Sequence, residues 1–305
     1  ASSLLFHGLF VFGLLKITSH SFKPNRNFLI LYSTCMCVYS VTIALCDISM
    51  ASSPRVVVMI SLGVVRGLLG LGIYLGIMSI ILVVLLTLPI YRYSAMRRNW
   101  FYLHVTSMHA IAPYCALTAM AGLLIYCLPA FFFKPEQAGV EVAAPLIKQK
   151  FALTRDYGYM AMIGYYGDSS EARWKPCVGL AVEYLFFICF YIAAIVVTYK
   201  IYKEALNRDR SKKRRFLERR HLISFWTQAV LITVLDQLPR AIWSILPLFS
   251  LASDIPHEIS KYSNPVLPLL SALSIIYTVP ELYIHIMKSR GKPVAPSMDQ
   301  GTTNT

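Results

Sequence analysis

Asp236 and Arg240 lie four residues apart inside an otherwise apolar run, LDQLPRAIW. Both side chains are costly to place in hydrocarbon, so each needs a reason to be there. On a helix, positions four apart share a face, and an acid and a base so placed can pair. Between them stands Pro239, which has no N–H to offer the carbonyl of Leu235 four residues back and so favours a kink. Two chemistries fit this constellation, and they are compatible. One is a structural ion pair beside a bend; the other is a ligand contact with a hinge for activation. Glu183 and Arg66 lie near the ends of other apolar runs. For them the alternatives are contact with lipid headgroups or a ligand contact.

Other chemistries find little support. His104 and His109 have the spacing of a first histidine box in membrane di-iron oxygenases. Two metals need several more closely spaced histidines, and His7, His20, His221, His257 and His285 are scattered. No H-E-x-x-H, no G-x-S-x-G and no deep pair of carboxylates in adjacent runs occurs, so neither an enzyme nor a bound cofactor or metal is expected. Most of the seven cysteines fall inside apolar runs, where a thiol is usually a small filler. Cys46 and Cys177 both fall near the expected outer face, where they can pair or stay as free thiols.

The composition says what positions these residues. Of 305 residues, 56% are hydrophobic and only 14% charged, against about 25% in ordinary soluble domains. Mean hydropathy is +0.56. The apolar residues gather into seven segments: 1–16, 28–49, 64–91, 108–133, 178–199, 222–249 and 266–287. A run of about 22 residues rises about 33 Å as a helix, enough to cross a bilayer core. The first segment is short, so the first span is either cut at its start or begins at residue 1. Val56–Ser61 is too short to cross and reads as a rim leading into the third span. The fold class expected is an all-α membrane protein, a seven-transmembrane helix bundle over residues 1–287 with a tail at 288–305.

Basic residues set the direction. The segments 16–27, 92–107, 200–221 and the tail after 287 hold 19 Lys and Arg, and the opposite set holds 8. Because cytoplasmic loops carry the basic excess, the N-terminus is expected outside and the C-terminus inside. The net charge of +14 is thus a membrane signal and does not call for nucleic acid.

Seven spans with an outside N-terminus is the topology of G-protein-coupled receptors. On that basis a small molecule enters from outside between spans three, five, six and seven, lined by Tyr74, Tyr184, Asp236, Gln237, Arg240 and Trp243. Hinges are expected at Pro239 and at Pro280. The latter opens a P-x-x-Y stretch ending at Tyr283, with Val279 where rhodopsin-like receptors carry asparagine. Coupling is expected at Arg92 and Tyr93, in a Tyr-Arg-Tyr triplet ending span three, and at Lys212, Lys213, Arg214 and Arg215. These four belong to the run 200–221, in which ten of the residues are Lys or Arg. That run orients the chain and meets anionic lipid. It also offers a docking face to an acidic partner if spans five and six extend into it as helices. The alternative is a transporter or ligand-gated channel with Asp236, Arg240 and Glu281 on an ion path.

Four stretches resemble the nematode serpentine chemoreceptors, particularly their h and i classes. They are HGLFVFGLLKITSHSFKPNRNFLILYSTCMC, RGLLGLGIYLGIMSIILVVLLTLPIYRYSAMRR, IYCLPAFFFKPEQAGVEVAAPLIKQ and RRHLISFWTQAVLITVLDQLPRAIWSILPLF. The third carries Pro135, Glu136 and Gln137 just after the fourth span, similar to a P-[DE]-Q segment of those families. The end departs from them, reading IHIMKSRGKP where a P-Y-R-like signature is common. The resemblance implies a chemosensory receptor in the plasma membrane of sensory cells, with a small-molecule ligand and a heterotrimeric G protein as partners.

The charge asymmetry makes a topological prediction. Protease applied to intact cells should cut within 134–177 and spare 200–221. Cleavage from outside at the cluster Lys212–Arg215 would show that the chain runs the other way.

Overall fold

The computed structural model describes residues 2–16, 23–54, 56–97, 108–135, 137–152, 159–163, 171–205, 212–249 and 251–279. Its frame is a bundle of long helices. These are α1 (Ser2–Lys16), α2 (Lys23–Cys46), α3 (Gly67–Arg97), α4 (Met108–Phe131), α6 (Glu171–Ala205), the pair α7 (Lys212–Ile232) and α8 (Leu238–Ile245), and α9 (Ile255–Thr278). Helix α5 (Gln137–Phe151) lies outside the bundle. Five described spans are long and apolar enough to cross a membrane: Arg26–Cys46, Gly67–Arg97, Ala112–Phe131, Trp174–Glu204 and Glu218–Ile245. The short α1 packs on α2 and α9, and α9 closes the bundle against α2, α7 and α8.

Several helices reach past the expected spans, although α3 begins later, at Gly67, and α4 ends earlier, at Phe131. α6 starts at residue 171 and α9 at residue 255, both before the apolar runs that marked them. The α9 extension carries Pro256 in its first turn, where the missing N–H is tolerated, and the α6 extension carries Pro176 inside the helix. At the basic end, α6 runs to Ala205 and α7 begins at Lys212, so the described parts of 200–221 are helical extensions.

At the opposite end the connections build a cap. Val56–Ser61 is not a rim but a strand, β2, paired antiparallel with β1 (Ile48–Ser52) and β3 (Met160–Ile163). The sequence Val-Val-Val-Met-Ile is rich in β-branched side chains, which suit a pleated surface. All six residues of β2 are buried because both faces are covered. Val57 and Met59 join the bundle core, while Val56, Val58 and Ile60 pack under α5 through Ala143, Leu146 and Ile147. α2 stops at Asp47, whose φ of 45° turns the chain into β1. The segment before α9 is tied to the cap by Ser253 N–H donating to Ser52 Oγ at 2.7 Å. Cys46 and Cys177 are both free thiols in this arrangement.

Helices α3 and α4 approach closely through glycine. A Cβ on Gly72 would stand 2.7 Å from the carbonyl oxygen of Tyr126, and one on Gly76 would stand 3.0 Å from that of Gly122. Within a bilayer, where no hydrophobic effect drives helices together, such backbone-to-backbone packing is a main source of adhesion. We therefore expect Gly72→Ala to destabilise the protein by about 1–3 kcal/mol. The matched control is Gly8→Ala on α1, where nothing lies within 4 Å of the added atom. Thermal unfolding in detergent should show a loss for the first and none for the second.

Candidate functional site

The helix formed by α7 and α8 is irregular where the sequence is irregular. Pro239 cannot satisfy the carbonyl of Leu235, and the chain responds by widening one turn. Thr233–Gln237 forms a π turn, in which Leu238 N–H reaches back five residues to the carbonyl of Thr233. The orphaned carbonyl of Leu235 is met from outside by the hydroxyl of Ser263 on α9. The bend is thus built into the packing, with a donor on the neighbouring helix standing in for the lost N–H. Such π turns concentrate at functional sites.

The turn places Asp236 and Gln237 inside the bundle, where both are buried. Asp236 Oδ1 accepts a short hydrogen bond from the Tyr74 hydroxyl of α3 and a longer one, 3.4 Å, from Tyr39 of α2. The Tyr74 hydroxyl accepts in turn from Asn264 Nδ2 of α9 at 3.1 Å. The Tyr39 and Tyr74 rings stack with centroids 6.0 Å apart. Four elements therefore converge on one carboxylate.

Arg240 keeps the expected i, i+4 contact with Asp236 but has a closer partner. Its guanidinium lies 4.0 Å from Asp236 but 3.0 Å from Glu183 Oε1 of α6. It also sits over the Phe187 ring, 5.6 Å from the centroid. Glu183 is itself buried in the bundle and does not meet the headgroup region. The widened turn explains the longer contact, because the residues of a π turn no longer stack at α-helical spacing. Arg240 bridges two carboxylates on two elements, Glu183 closely and Asp236 at longer range, and Asp236 also accepts from Tyr74 and Tyr39.

A cavity of about 300 Å³ lies against this network, between α3, α6, the π turn and α8. That volume is at the lower end of small-molecule sites. Of the expected ligand contacts, Tyr184, Gln237, Arg240 and Trp243 line it, whereas Tyr74 and Asp236 lie behind it. The remaining wall is mostly apolar, with Leu75, Phe133, Phe187 and Leu238 prominent. Tyr184 bonds Ser244 at 2.7 Å, and Tyr191 bonds Thr233 and faces Gln237 Oε1 at 3.4 Å. Gln237 Nε2 and Trp243 Nε1 are buried donors with no hydrogen-bond partner among the described residues.

Two further polar clusters had no signal in the sequence beyond their residue types. The carbonyl of Pro268 can only accept, so His7 donates to it from Nε2 at 2.8 Å and accepts at Nδ1 from Ser33 at 2.7 Å. Gln228 Oε1 accepts from Tyr32 at 2.9 Å and Ser271 at 2.7 Å, while its Nε2 donates to the Ser271 carbonyl at 3.1 Å and to Ser274. Serine repeated on α9 and a lone glutamine in α7 are the only traces of this arrangement in the chain.

At the basic end, Arg92 of α3 is buried and pairs with Glu218 of α7 at 3.2 Å, and Arg97 pairs with Glu204 of α6 at 3.2 Å. Tyr93 lies under Lys200, 5.7 Å from the ring centroid. Arg215 lines a crevice of about 840 Å³ between α6 and α7. Lys212, Lys213 and Arg214 lie in the first turn of α7, and their side chains are outside the described residues. Pro280, Glu281, Tyr283, His104 and the tail also lie outside them. Among the described residues no group of three or more His, Cys, Asp or Glu is arranged to hold a metal.

A family model described as serpentine type 7TM GPCR chemoreceptor Str matches residues 1–286. The serpentine resemblance therefore holds, with Str as the matching class where the residues had suggested the h and i classes. No curated protein matches the chain.

The charge network can be tested by mutant cycles on thermal stability. Removing one partner of a buried ion pair typically costs about 3–5 kcal/mol. Arg240→Met and Glu183→Gln should each destabilise, and the double variant should lose much less than their sum. The coupling of Arg240 with Asp236→Asn should be smaller than that with Glu183→Gln. The reverse order would place the dominant pair on Asp236.

Proposed function

The chain belongs to the Str family of serpentine seven-transmembrane chemoreceptors, and from that premise we propose that it detects a small molecule and signals to a heterotrimeric G protein. The family is one of receptors, not of enzymes, and the protein is an integral membrane protein. The plasma membrane of sensory cells is the location this role requires, with the cap outside and the basic end in the cytoplasm. The observation that carries the proposal is the cavity set against the π turn and Pro239. Tyr184, Gln237, Arg240 and Trp243 are its candidate contacts, and Tyr74 and Asp236 support it from behind.

A molecule packed between α6 and α8 bears on the one place where the α7–α8 helix departs from regular geometry. From Thr233 to Glu218 the helix runs 15 residues, about 22 Å at 1.5 Å per residue. Glu218 is the residue that holds Arg92 of α3. Movement about Pro239 therefore reaches a salt bridge at the face where a cytoplasmic partner would dock. Lys200, over the Tyr93 ring, and the Lys212–Arg215 cluster in the sequence of α7 would give that end its positive charge. An acidic partner would meet it by electrostatic complementarity, which governs on-rate and salt sensitivity more than affinity.

The transporter or channel alternative needs charges along a continuous wet path. Of the residues expected on such a path, Asp236 and Arg240 instead make contact with each other and, through Arg240, with Glu183, Asp236 does not line the cavity, and Glu281 lies outside the described residues. This favours a receptor.

Screening small molecules by nucleotide exchange in membranes containing the receptor and G protein tests the proposal. With an agonist in hand, neutralising Lys212, Lys213, Arg214 and Arg215 together should lower exchange at least tenfold, with surface level and uncoupled ligand affinity unchanged. Full signalling by a correctly inserted quadruple variant would remove this cluster from coupling.

A further inference from the structure

The cavity beside Arg240 has a mouth, and its position says where the occupant comes from. Along α6, Leu185, Ile188, Ile192, Ile195, Val196 and Tyr199 are exposed at helical spacing. Val230, Val234, Leu238, Ile242 and Ile245 form a matching stripe on the α7–α8 helix. Both stripes are large, apolar and within segments long enough to cross a membrane, so they face lipid tails. Ile188 is 53% exposed and Leu238 48% exposed, and both also line the cavity. A residue that belongs to the lipid face and to the cavity wall at once marks an opening between the two.

The cap end is closed by contrast. Phe133 and Trp243 line the cavity there at 1% and 2% exposure. Phe132 and Phe133 are wedged so tightly on Gly179 that an added Cβ would stand 2.6 Å from Phe132 Cβ. Beyond the helices, β3 lies against α6. The two charged residues of the wall itself, Arg240 and Glu183, are paired with each other at 3.0 Å.

We infer that this cavity is filled sideways from the bilayer, through the gap between Ile188 and Leu238, by an uncharged and largely apolar small molecule. The signalling role of that molecule rests on the receptor reading above; the route and the chemical class do not. A charged or strongly polar molecule would be excluded twice, by the hydrocarbon it must cross and by a wall whose ions are already matched.

The test uses the whole chain in lipid nanodiscs and a small apolar photolabel, 3-trifluoromethyl-3-phenyldiazirine, with a carboxylated water-soluble analogue beside it. Labelled residues are mapped by peptide mass spectrometry. Leu75 is the reporter, because it lines the cavity but is only 1% exposed. The apolar reagent should label Leu75 and the carboxylated one should not. Ile188→Trp, which fills the mouth, should cut labelling of Leu75 at least tenfold without lowering labelling of the lipid stripe at Ile195. Leu238→Ala, which widens it, should raise the rate. Three results would overturn the inference: Leu75 left unlabelled while Ile195 is labelled, labelling of Leu75 by the carboxylated reagent, or labelling indifferent to both mouth variants. If the labelling behaves as expected but a cavity-filling variant, Ala241→Phe, leaves agonist-driven nucleotide exchange intact, the portal stands. The assignment of this cavity to the receptor's ligand is then what fails.

Discussion

Two buried carboxylates share one buried guanidinium inside the bundle, and much of the architecture follows from the need to hold them there. Asp236, Arg240 and Glu183 are each buried. In a region without water, an unpaired charge or backbone polar group costs several kcal/mol. Tyr39, Tyr74 and Asn264 orient around Asp236, and Phe187 lies against the guanidinium. These groups sit on different helices, apart from Glu183 and Phe187, one turn apart on α6, and Asp236 and Arg240, four residues apart on the α7–α8 helix. Satisfying the charges therefore fixes α2, α3, α6, α8 and α9 relative to one another. In a lipid-embedded bundle, where apolar packing alone discriminates weakly between helix neighbours, a shared polar network is a strong source of specificity.

The same logic explains the irregular helix. A regular α-helix through Pro239 would leave the Leu235 carbonyl bare in the bundle. The π turn and Ser263 solve this together, and the solution turns two consecutive polar residues, Asp236 and Gln237, inward. The distortion thus supplies a partner to a carbonyl that proline orphaned, and it also presents the polar residues that line or back the cavity. Neither result would survive replacement of α9 by a smooth apolar helix.

The sequence made some of this legible and hid the rest for identifiable reasons. Apolar runs located the spans, and the proline and the charged pair located the bend, because both signals are local. The closer partner of Arg240 was not legible. Glu183 lies 57 positions away, and only the tertiary fold brings it within 3.0 Å. The i, i+4 contact of Asp236 with Arg240 was legible and is present at 4.0 Å, but the π turn that leaves it the longer of the two is not announced by periodicity. Val56–Ser61 was legible as apolar but not as a strand, since its burial depends on α5, whose apolar face was masked by the polar residues of a long connection. Starts of α6 and α9 were missed because their first turns are polar enough to resemble loops.

An apolar occupant arriving from lipid changes the usual account of affinity. Lipid tails are as apolar as leucine, so entry into the cavity removes little surface from water and gains little hydrophobic free energy. What remains is packing: how completely the molecule fills the space between α6 and α8. Void volume in a protein interior costs about 24 cal/mol per Å³. If one arrangement of the α7–α8 bend leaves about 100 Å³ less void around the occupant than the other, it is favoured by about 2.4 kcal/mol, roughly a sixtyfold shift in population. Such a molecule needs no contact with Asp236 or Arg240 to bias the bend, because the packing of α6 and α8 around it is enough. Shape, rather than charge, is then what the site can discriminate, and a coupling of that size lies within the range that a single differential packing contact supplies.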